Sequence, residues 1–286
     1  MALNVLGISA FYHDSAAALV RDGQIVAAAQ EERFSRVRHD PRFPKHAINY
    51  CLEEAFIEPD DLNAVVFYDS PILTLDRVLR NCLNFGLEGR AQFEQAMPSV
   101  LGVKLFVEDF VLEALGTVGR AGRVLYTEHH FAHAASAFYP SPFESAAIIT
   151  LDGVGEWTTT AIGSGTGEGL VLLKEIHYPH SIGLLYSAFT SFCGFRVNSG
   201  EYKLMGLAAY GEPRFAATIR EHLIDIRADG SYRLNLDYFS FQTENEMTSE
   251  RFATLFGGRP RVPEGPITRR EMDIAASVQK VTTEIV

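Results

Sequence analysis

Short apolar runs separated by polar turns fill the first thirty residues of the chain. Asn4–Ser9 is apolar and β-branched, Ser15–Val20 is small and apolar, and Gln24–Ala29 follows the dipeptide Asp22-Gly23. Runs of this length and composition, joined by a hairpin dipeptide, are typical of β-strands. The pattern therefore predicts that the chain begins with a meander of three strands.

The same order of strands and turns recurs in the middle of the chain. Strand composition is found at Ser145–Leu151, Thr158–Gly163 and Leu170–His177, and the turns Asp152–Gly155 and Gly165–Gly169 separate these runs. The repetition predicts two related lobes, over residues 1–143 and 144–286, each opening with a three-stranded meander. Meanders also arise independently, so the pattern alone leaves duplication open.

Helical periodicity appears between and after these strands. At His46–Ala55 it puts Ile48, Cys51 and Leu52 on one face. The remaining predicted elements are helices at His129–Phe138, Ser181–Phe192, Leu204–Ala209, Arg214–Leu223 and 269–286, and strands at Ala64–Tyr68 and Arg123–Thr127. Residues 71–119 are predicted to be helical with breaks at Gly86, Gly89 and Pro98. The polar segment 225–268 is predicted to be an insertion or a lid outside the core.

Composition narrows the classes of function. The 286 residues carry a net charge of −11, which argues against nucleic-acid binding and favours a small-molecule or protein partner. No apolar run approaches the ~20 residues of a membrane helix, and the N-terminal residues lack the basic start of a signal peptide. The three cysteines form no CxxC pair and fit a reducing compartment. We therefore expect a cytoplasmic protein without membrane contact.

The clearest chemical signal is the histidine-rich segment 127–137. His129 and His133 are spaced so that both imidazoles project from one face of a helix, where two nitrogens can hold a divalent metal. Histidines that cap the start of a helix would give the same pattern, and the spacing alone leaves both readings open. His130 points elsewhere on the helix, so we expect it either to support the metal ligands or to have a structural role. No HExxH motif is present, which removes the general base of zinc proteases.

Two strand ends carry further candidates. The turn Asp152–Trp157 combines glycines, whose amides can approach a phosphate, with an acidic side chain that can position a metal or a water. An ordinary hairpin turn is the alternative. Its counterpart in the first meander offers His13, Asp14 and Ser15 at a strand end.

Two more segments mix charge with conformational freedom. Within Asn198–Gly211, Gly200 frees the backbone, Glu201 and Lys203 are oppositely charged, and Gly206 lies inside a predicted helix. A helical glycine costs about 1 kcal/mol relative to alanine, so a close backbone approach would explain Gly206, and a capped surface helix is the alternative. The segment 30–45 is rich in arginine, which suits either an anion pocket or a solvated loop.

The order of these motifs resembles one family. GISAFYHDSAAAL at 7–19, EERFSRVRHD with FP at 31–44, HHFAHAASAFY at 129–139, LDGVGEW at 151–157 and GEYKLMGLAAYG at 200–211 together resemble the NodU/CmcH-type O-carbamoyltransferases. The resemblance spans essentially the whole chain. It implies an α/β fold of the two-lobed actin/Hsp70/sugar-kinase class, similar to the tRNA threonylcarbamoyladenosine transferase subunit.

The resemblance also implies a reaction. A C-terminal YrdC-like domain would convert carbamoyl phosphate and ATP into carbamoyl adenylate, and this region would pass the carbamoyl group to a hydroxyl of a small-molecule acceptor. The implied metal ligands are His129 and His133, with Fe(II) the expected ion and Mn(II) or Mg(II) the alternatives. The implied catalytic residues on the carbamoyl or acceptor side are His13, Asp14 and Arg36. The implied nucleotide contacts are Asp152, Gly153, Gly155, Glu156, Glu201, Lys203 and Gly206.

The chain departs from the family in one respect. The remaining aspartate ligand, the glycine-rich nucleotide segment of the second lobe and the YrdC-like domain would lie beyond residue 286. The last residues read as a helix without a stop signal. We therefore expect a cut chain with an incomplete second lobe, an incomplete metal sphere and no activity of its own, and we leave a homodimer open.

Two other functions compete with this interpretation. One is an ATP-dependent phosphotransferase of the sugar-kinase type, but such an enzyme carries an acidic DxGTT-like first turn where this chain has Ser9-Ala10-Phe11-Tyr12. Kinase chemistry also leaves the histidine pair unexplained. The other is a non-catalytic nucleotide-binding module with the same fold.

Overall fold

The computed structural model describes residues 2–116 and 124–286. They form two compact units, each discontinuous in sequence. The first comprises Met1–Val78 and Gln95–Ala132, and the second comprises Leu79–Glu94 and His133–Val286. The chain therefore passes from one unit to the other three times. The predicted division into lobes 1–143 and 144–286 stays a prediction.

The described residues contain short strands and mostly short helices. The strands are β1 (Asn4–Ser9), β2 (Ala16–Arg21), β3 (Gln24–Gln30), β4 (Ala64–Phe67), β5 (Val124–Tyr126), β6 (Ala146–Leu151), β7 (Thr158–Thr166), β8 (Gly169–His177), β9 (Ile224–Ile226) and β10 (Tyr232–Leu234). The helices are α1 (Glu32–Ser35), α2 (Lys45–Ala55), α3 (Pro71–Phe85), α4 (Arg90–Gly102), α5 (Val107–Leu115), α6 (His129–Phe138), α7 (Ile182–Phe192), α8 (Glu201–Ala208), α9 (Ala216–Thr218), α10 (Glu250–Leu255) and α11 (Arg269–Ile285).

A five-stranded sheet with the order β3-β2-β1-β4-β5 forms the centre of the first unit. The predicted meander β1-β2-β3 is antiparallel, and β4 and β5 run parallel to β1. The amide of Tyr68 donates to the carbonyl of Ile8 (3.3 Å), and the amide of Thr127 donates to that of Phe67 (3.1 Å). The carboxyl ends of the parallel strands therefore meet at one edge, which is where ligands bind in open α/β sheets.

Alternating burial fixes which face of this sheet is packed. Leu6 and Ile8 of β1 are buried, and so is Leu19 of β2, which pairs with Leu6. Helix α2 covers β2 and β3 with the predicted apolar face, on which Ile48 and Cys51 are fully buried. Period-two burial in the strands and a single apolar stripe on the helix give the first unit its core.

The second unit contains the predicted repeat. Strands β6, β7 and β8 form an antiparallel meander in sequence order. A Cβ atom at Gly163 of β7 would lie 2.5 Å from the carbonyl oxygen of Val171, so only glycine fits where β7 pairs with β8 at this position. Each unit thus contains a three-stranded antiparallel meander, and the predicted α/β fold class is confirmed.

Helix α4 departs from the sequence prediction. The expected break at Pro98 is wrong, because α4 continues through it to Gly102. Proline removes the hydrogen bond to the carbonyl four residues earlier, that of Glu94. Both residues are exposed, so water can hydrate that carbonyl. At Gly86 the chain does leave the helix, with a φ of 55°. Of the predicted strand 123–127, Arg123 lies outside the described residues, as do residues 117–119 of the predicted helical segment.

The segment 225–268 is not a lid, and this expectation is corrected. Phe252 and Phe256 are fully buried in the core of the second unit, against Phe189 and Phe192 of α7. The ring centroids of Phe252 and Phe256 are 4.8 Å apart, and those of Phe189 and Phe252 are 5.0 Å apart. Polar residues dominate the segment, but its widely spaced aromatic rings complete the core.

In the described part of the chain, no helix combines the length and the apolar composition needed to cross a bilayer.

The aromatic core supports a stability prediction. Replacing a buried phenylalanine by alanine leaves a cavity, so we expect Phe252→Ala to lower the free energy of unfolding by about 3–5 kcal/mol. Phe143→Ala is the matched control, because Phe143 lies in the same unit and is 63% exposed, and it should change stability by less than about 0.5 kcal/mol. Both are measured by urea denaturation. Equal stability of the two variants would contradict the core assignment of this segment.

Candidate functional site

The two predicted metal ligands lie on helix α6, which has the predicted bounds. Their ligand nitrogens are within 4.8 Å of each other, so His129 and His133 share one face. Further along the helix, the Phe138 ring lies over Gly165 of β7, where an added Cβ would approach it to 2.6 Å. This close packing fixes the second half of α6 against the meander of the second unit.

Asp152, at the end of β6, lies beside His133. Its Oδ2 is 3.8 Å from His133 Nε2, and its Oδ1 accepts a hydrogen bond of 2.7 Å from the Gly153 amide. The Asp152 side chain is 31% exposed and that of His133 is 47% exposed, so solvent reaches both. The family resemblance implies a nucleotide contact for Asp152, whereas its carboxylate lies with the two histidines in a set of three donors, as an acidic strand end that positions a metal would.

The backbone of Asp152 is held by the start of helix α7. Ser181 Oγ donates to the Asp152 carbonyl (2.9 Å) and accepts from the Leu184 amide (3.0 Å), which caps the helix. A Cβ atom at Gly183 would lie 2.4 Å from the same Asp152 oxygen. Tyr232 Oη accepts from the Ile182 amide at 2.9 Å. The position of Asp152 therefore depends on a glycine that the sequence analysis did not single out.

In the first unit, the His129 ring contacts Tyr68, which lies beside the buried ion pair of Lys104 and Asp69. The Tyr68 and His129 rings meet edge to face with centroids 5.4 Å apart. Lys104 Nζ lies 5.9 Å from the Tyr68 ring and 2.6 Å from Asp69 Oδ2, and both charged side chains are at least nine-tenths buried. Such outer contacts orient the ligands of a metal. His130 is buried, as its expected structural role requires.

The donor set fits a divalent transition metal. Two imidazole nitrogens and one carboxylate oxygen form the 2-His-1-carboxylate combination found around non-haem Fe(II). Carboxylate and imidazole donors also accept Mn(II), whereas Mg(II) prefers oxygen ligands throughout. The chemistry of the donors therefore favours the expected Fe(II) over Mg(II).

The glycines of the Asp152 turn have their amides engaged within the turn. Gly153 donates to Asp152 Oδ1, and Gly155 donates to the Thr158 carbonyl at 3.0 Å. Glu156 is buried, with 4% of its surface exposed. A phosphate would have to displace these hydrogen bonds, so the turn has the geometry of the hairpin alternative. Nucleotide binding by Gly153, Gly155 and Glu156 stays a prediction.

The segment at the start of α8 is organised by Glu201. Its carboxylate accepts from Ser187 Oγ (2.9 Å), the Asn198 amide (3.0 Å) and the Gly200 amide (3.1 Å), so it fixes a loop. Lys203 and Gly206 are exposed on the helix. Of the two alternatives for Gly206, the surface helix fits the described residues, because a Cβ there would meet none of their atoms within 4 Å. A nucleotide contact by these residues stays a prediction.

A second polar cluster lies in the turn after β1. Asp14 accepts from His13 Nδ1 (2.9 Å) and from His39 Nδ1 (3.0 Å), and its backbone is left-handed, with a φ of 49°. Burial raises the pKa of Asp14, but the hydrogen bonds from His39 and His13 outweigh it, so the net pKa lies below 3.8. Glu32 accepts from the His39 amide at 3.0 Å. The carboxylate stays ionised between two imidazoles.

Two members of this cluster, Glu32 and His39, were not predicted as site residues, and one predicted residue, Arg36, is not hydrogen-bonded to it among the described residues. His39 and Glu32 belong to the motif at 31–40, where attention went to the arginines. The signal was present, because a histidine next to an aspartate ends that motif. Arg36 ends α1 with a left-handed φ of 58° and an exposed side chain. In the residues described, Arg36 has no hydrogen bond to His13 or Asp14, and its catalytic role stays a prediction.

The chain matches the family described as carbamoyltransferase N-terminus over residues 4–286. It belongs to the carbamoyltransferase N-terminus family. This confirms the family resemblance of the sequence motifs.

Relatives of this carbamoyltransferase domain are longer proteins. It is 53% identical to an uncharacterized protein of Synechocystis sp., over 99% of this chain and 47% of the relative. It is 31% identical to the nodulation protein NolNO of Sinorhizobium fredii, over 96% of this chain and 38% of the relative. The chain thus spans less than half the length of these relatives.

Solved structures resemble the carbamoyltransferase domain only distantly. Component A of (R)-2-hydroxyglutaryl-CoA dehydratase from Acidaminococcus fermentans aligns with a TM-score of 0.41 at 11% identity, over 98% of this chain and 99% of that one. YeaZ from Pseudomonas aeruginosa aligns with a TM-score of 0.33 at 16% identity, over 62% and 68%. At these TM-scores the alignments support no argument, and the fold rests on the strand order of the chain itself.

Two helical glycines of the carbamoyltransferase domain give a matched pair of variants. Gly183→Ala forces a methyl group onto the Asp152 carbonyl, so we expect it to lower the free energy of unfolding by about 1–3 kcal/mol. Gly206→Ala faces open space in α8 and should raise the same free energy by up to about 1 kcal/mol. Urea denaturation of both variants measures the difference. A Gly183→Ala variant as stable as the unchanged protein would refute the close approach.

Proposed function

We propose that this chain is the transfer region of an O-carbamoyltransferase. The carbamoyl group comes from carbamoyl adenylate, made from carbamoyl phosphate and ATP, and goes to a hydroxyl of a small-molecule acceptor. The observation that carries the proposal is the donor set of His129, His133 and Asp152 in a member of the carbamoyltransferase N-terminus family. Kinase chemistry has no use for a histidine pair, so the donor set favours carbamoyl transfer over phosphoryl transfer.

His129, His133 and Asp152 are the residues that would hold a divalent metal, with Fe(II) the favoured ion. A bound divalent metal acts as a Lewis acid on the oxygens of a mixed anhydride. The protein contributes the geometry: Ser181 and the Gly183 contact fix Asp152, and Phe138 fixes the helix that carries His133. Preorganised ligands avoid a cost of rearrangement when charge develops in the transition state.

The polar cluster in the first unit supplies the base for the acceptor. Asp14 accepts from Nδ1 of His13, which leaves the exposed imidazole with Nε2 as its proton acceptor. In the proposed step the acceptor hydroxyl oxygen bonds to the carbamoyl carbon, the bond from that carbon to the adenylate oxygen breaks, and AMP leaves. His13 Nε2 takes the hydroxyl proton, while Asp14 stabilises the imidazolium. His39 holds the other side of Asp14.

Metal binding is tested by replacing one donor at a time. We expect His129→Ala, His133→Ala and Asp152→Asn each to weaken Mn(II) binding at least about tenfold, because the loss of even an outer contact has an effect of that size. Electron paramagnetic resonance of free Mn(II) measures the affinity, and anaerobic dialysis with Fe(II) followed by elemental analysis measures retention. His177→Ala, an exposed histidine of the same unit, is the control and should bind unchanged. Unchanged affinity in the His129, His133 double variant would refute the assignment.

Transfer is tested at the base. A complete protein that contains this region is assayed with carbamoyl phosphate, ATP and a panel of hydroxyl compounds, and the carbamate is detected by mass. We expect His13→Ala to lower kcat by about 10²–10⁴, the usual contribution of a general base. His222→Ala, another exposed histidine, should leave kcat unchanged. Equal turnover in the two variants would remove His13 from the mechanism.

A further inference from the structure

The first unit contains a cavity of about 730 Å³ that neither the metal ligands nor the polar turn accounts for. This volume lies in the range of small-molecule sites. Aromatic and apolar side chains form most of its wall, and charged side chains stand around them. The lining residues are Phe11, Glu31, Pro41, Arg42, Phe43, Lys45, His46, Pro98, Ser99, Val103, Phe110 and Glu113.

Three phenylalanine rings give the cavity its recognition surface. The ring centroids of Phe11 and Phe110 are 4.9 Å apart, and Phe43 lies 6.0 Å from each of the other two. Phe11 is held in a left-handed backbone with a φ of 73°, and its amide donates to the Pro41 carbonyl at 2.8 Å. A bulky residue in this conformation is strained by about 1–3 kcal/mol. Strain of this kind concentrates at binding sites, and here it holds an aromatic ring at the cavity wall.

The charged residues of the lining are already paired. Lys45 Nζ lies 2.9 Å from Glu113 Oε1, and Arg42 Nη2 lies 2.6 Å from Asp40 Oδ2. The Glu31 carboxylate accepts from His46 Nδ1 (2.5 Å) and from the Ala47 amide (3.0 Å). An ionised ligand would bring a charge that these pairs do not compensate, and burying it would be costly. The rim therefore selects for a neutral molecule.

The same two segments build the cavity wall and the Asp14 cluster. The Ser15 amide donates to the Asp40 carbonyl at 2.9 Å, so the turn 11–15 runs alongside 39–43. At one end of this pairing Phe11 meets Phe43 in the cavity, and at the other Asp14 meets His39. Phe11 and His13 are two residues apart, which an extended chain spans in roughly 7 Å. The cavity wall and the proposed base therefore belong to one short turn.

We propose that this cavity binds the ring portion of the acceptor, and that the acceptor is a neutral, hydroxyl-bearing molecule with an aromatic or alicyclic ring. That the bound molecule is the acceptor rests on the proposed function, whereas binding of such a molecule in the cavity does not. The rings of Phe11, Phe43 and Phe110 stack on the apolar portion, and the hydroxyl points along the turn towards His13. Charged acceptors are excluded by the paired rim.

Three probes with one ring system and different charges test the selectivity. They are 2-naphthylmethanol, which is neutral, 2-naphthoate, an anion, and 2-naphthylmethylammonium, a cation. Binding to the chain is measured by isothermal titration calorimetry without metal or carbamoyl donor. We expect the alcohol to bind and both ions to bind at least about tenfold more weakly, because each would bury an uncompensated charge. Absence of binding by all three probes, or equal affinity for them, would overturn the proposal.

Variants of helix α4 locate the binding. Ser99 lines the cavity from an exposed helical position, so Ser99→Trp fills the cavity without disturbing the core and should weaken 2-naphthylmethanol binding at least about tenfold. Leu101→Trp places the same side chain at an exposed position that does not line the cavity, and it should bind as before. Equal binding by the two variants would overturn the location.

A third variant tests the role of the paired rim. Glu113→Gln removes the partner of Lys45 at an exposed position, so the affinity for 2-naphthoate should rise about threefold or more while that for the alcohol stays the same. An unchanged ratio would overturn the charge argument. The outcomes remain separable from the proposed function: probes that bind in a chain unable to hold metal support the cavity alone. A chain that holds metal but binds no probe supports the metal site alone.

Discussion

The contact between the start of helix α7 and the turn after β6 is the constraint on which the second unit depends. The Ser181 hydroxyl caps α7 and at the same time holds the Asp152 carbonyl, and Gly183 leaves no space for a side chain between them. Behind α7, the phenylalanine core formed with 225–268 fixes the helix. The backbone position of one candidate metal ligand, Asp152, is therefore set by hydrogen bonds and an apolar core.

The two units achieve their polar sites differently. In the second unit His133 projects from a helix and Asp152 from the end of a strand, and the Asp152 carbonyl and the Gly153 amide are hydrogen-bonded. In the first unit the polar turn is strained: Phe11 and Asp14 both have left-handed backbones, and the surrounding hydrogen bonds to 39–41 hold them there. Local strain held by the rest of the fold is a property of sites built for ligands. The candidate metal ligands and the Asp14 cluster are therefore positioned by different local means.

Features that depend on local pattern could be predicted from the sequence. The bounds of β1 and α6 are those expected, because the alternation of apolar residues and the helical spacing each depend only on residues close together in the sequence. Features that depend on contacts between distant segments could not. The polar residues around Phe252 indicate a surface loop, although its ring is buried in the core. The role of Gly183 depends on its contact with the Asp152 carbonyl, which is distant in sequence. His39 stands in an arginine-rich segment that predicts anion binding, and its hydrogen-bond partner Asp14 is 25 positions away in sequence.

Helix α7 also has an electrostatic consequence for this acidic chain. Aligned peptide dipoles place roughly half a positive charge at the N-terminus of a helix. At α7 that end faces the Asp152 carbonyl, and the first turn contains no acidic residue that would neutralise it. In a protein of net charge −11, the backbone itself thus contributes a positive potential beside the Asp152 turn.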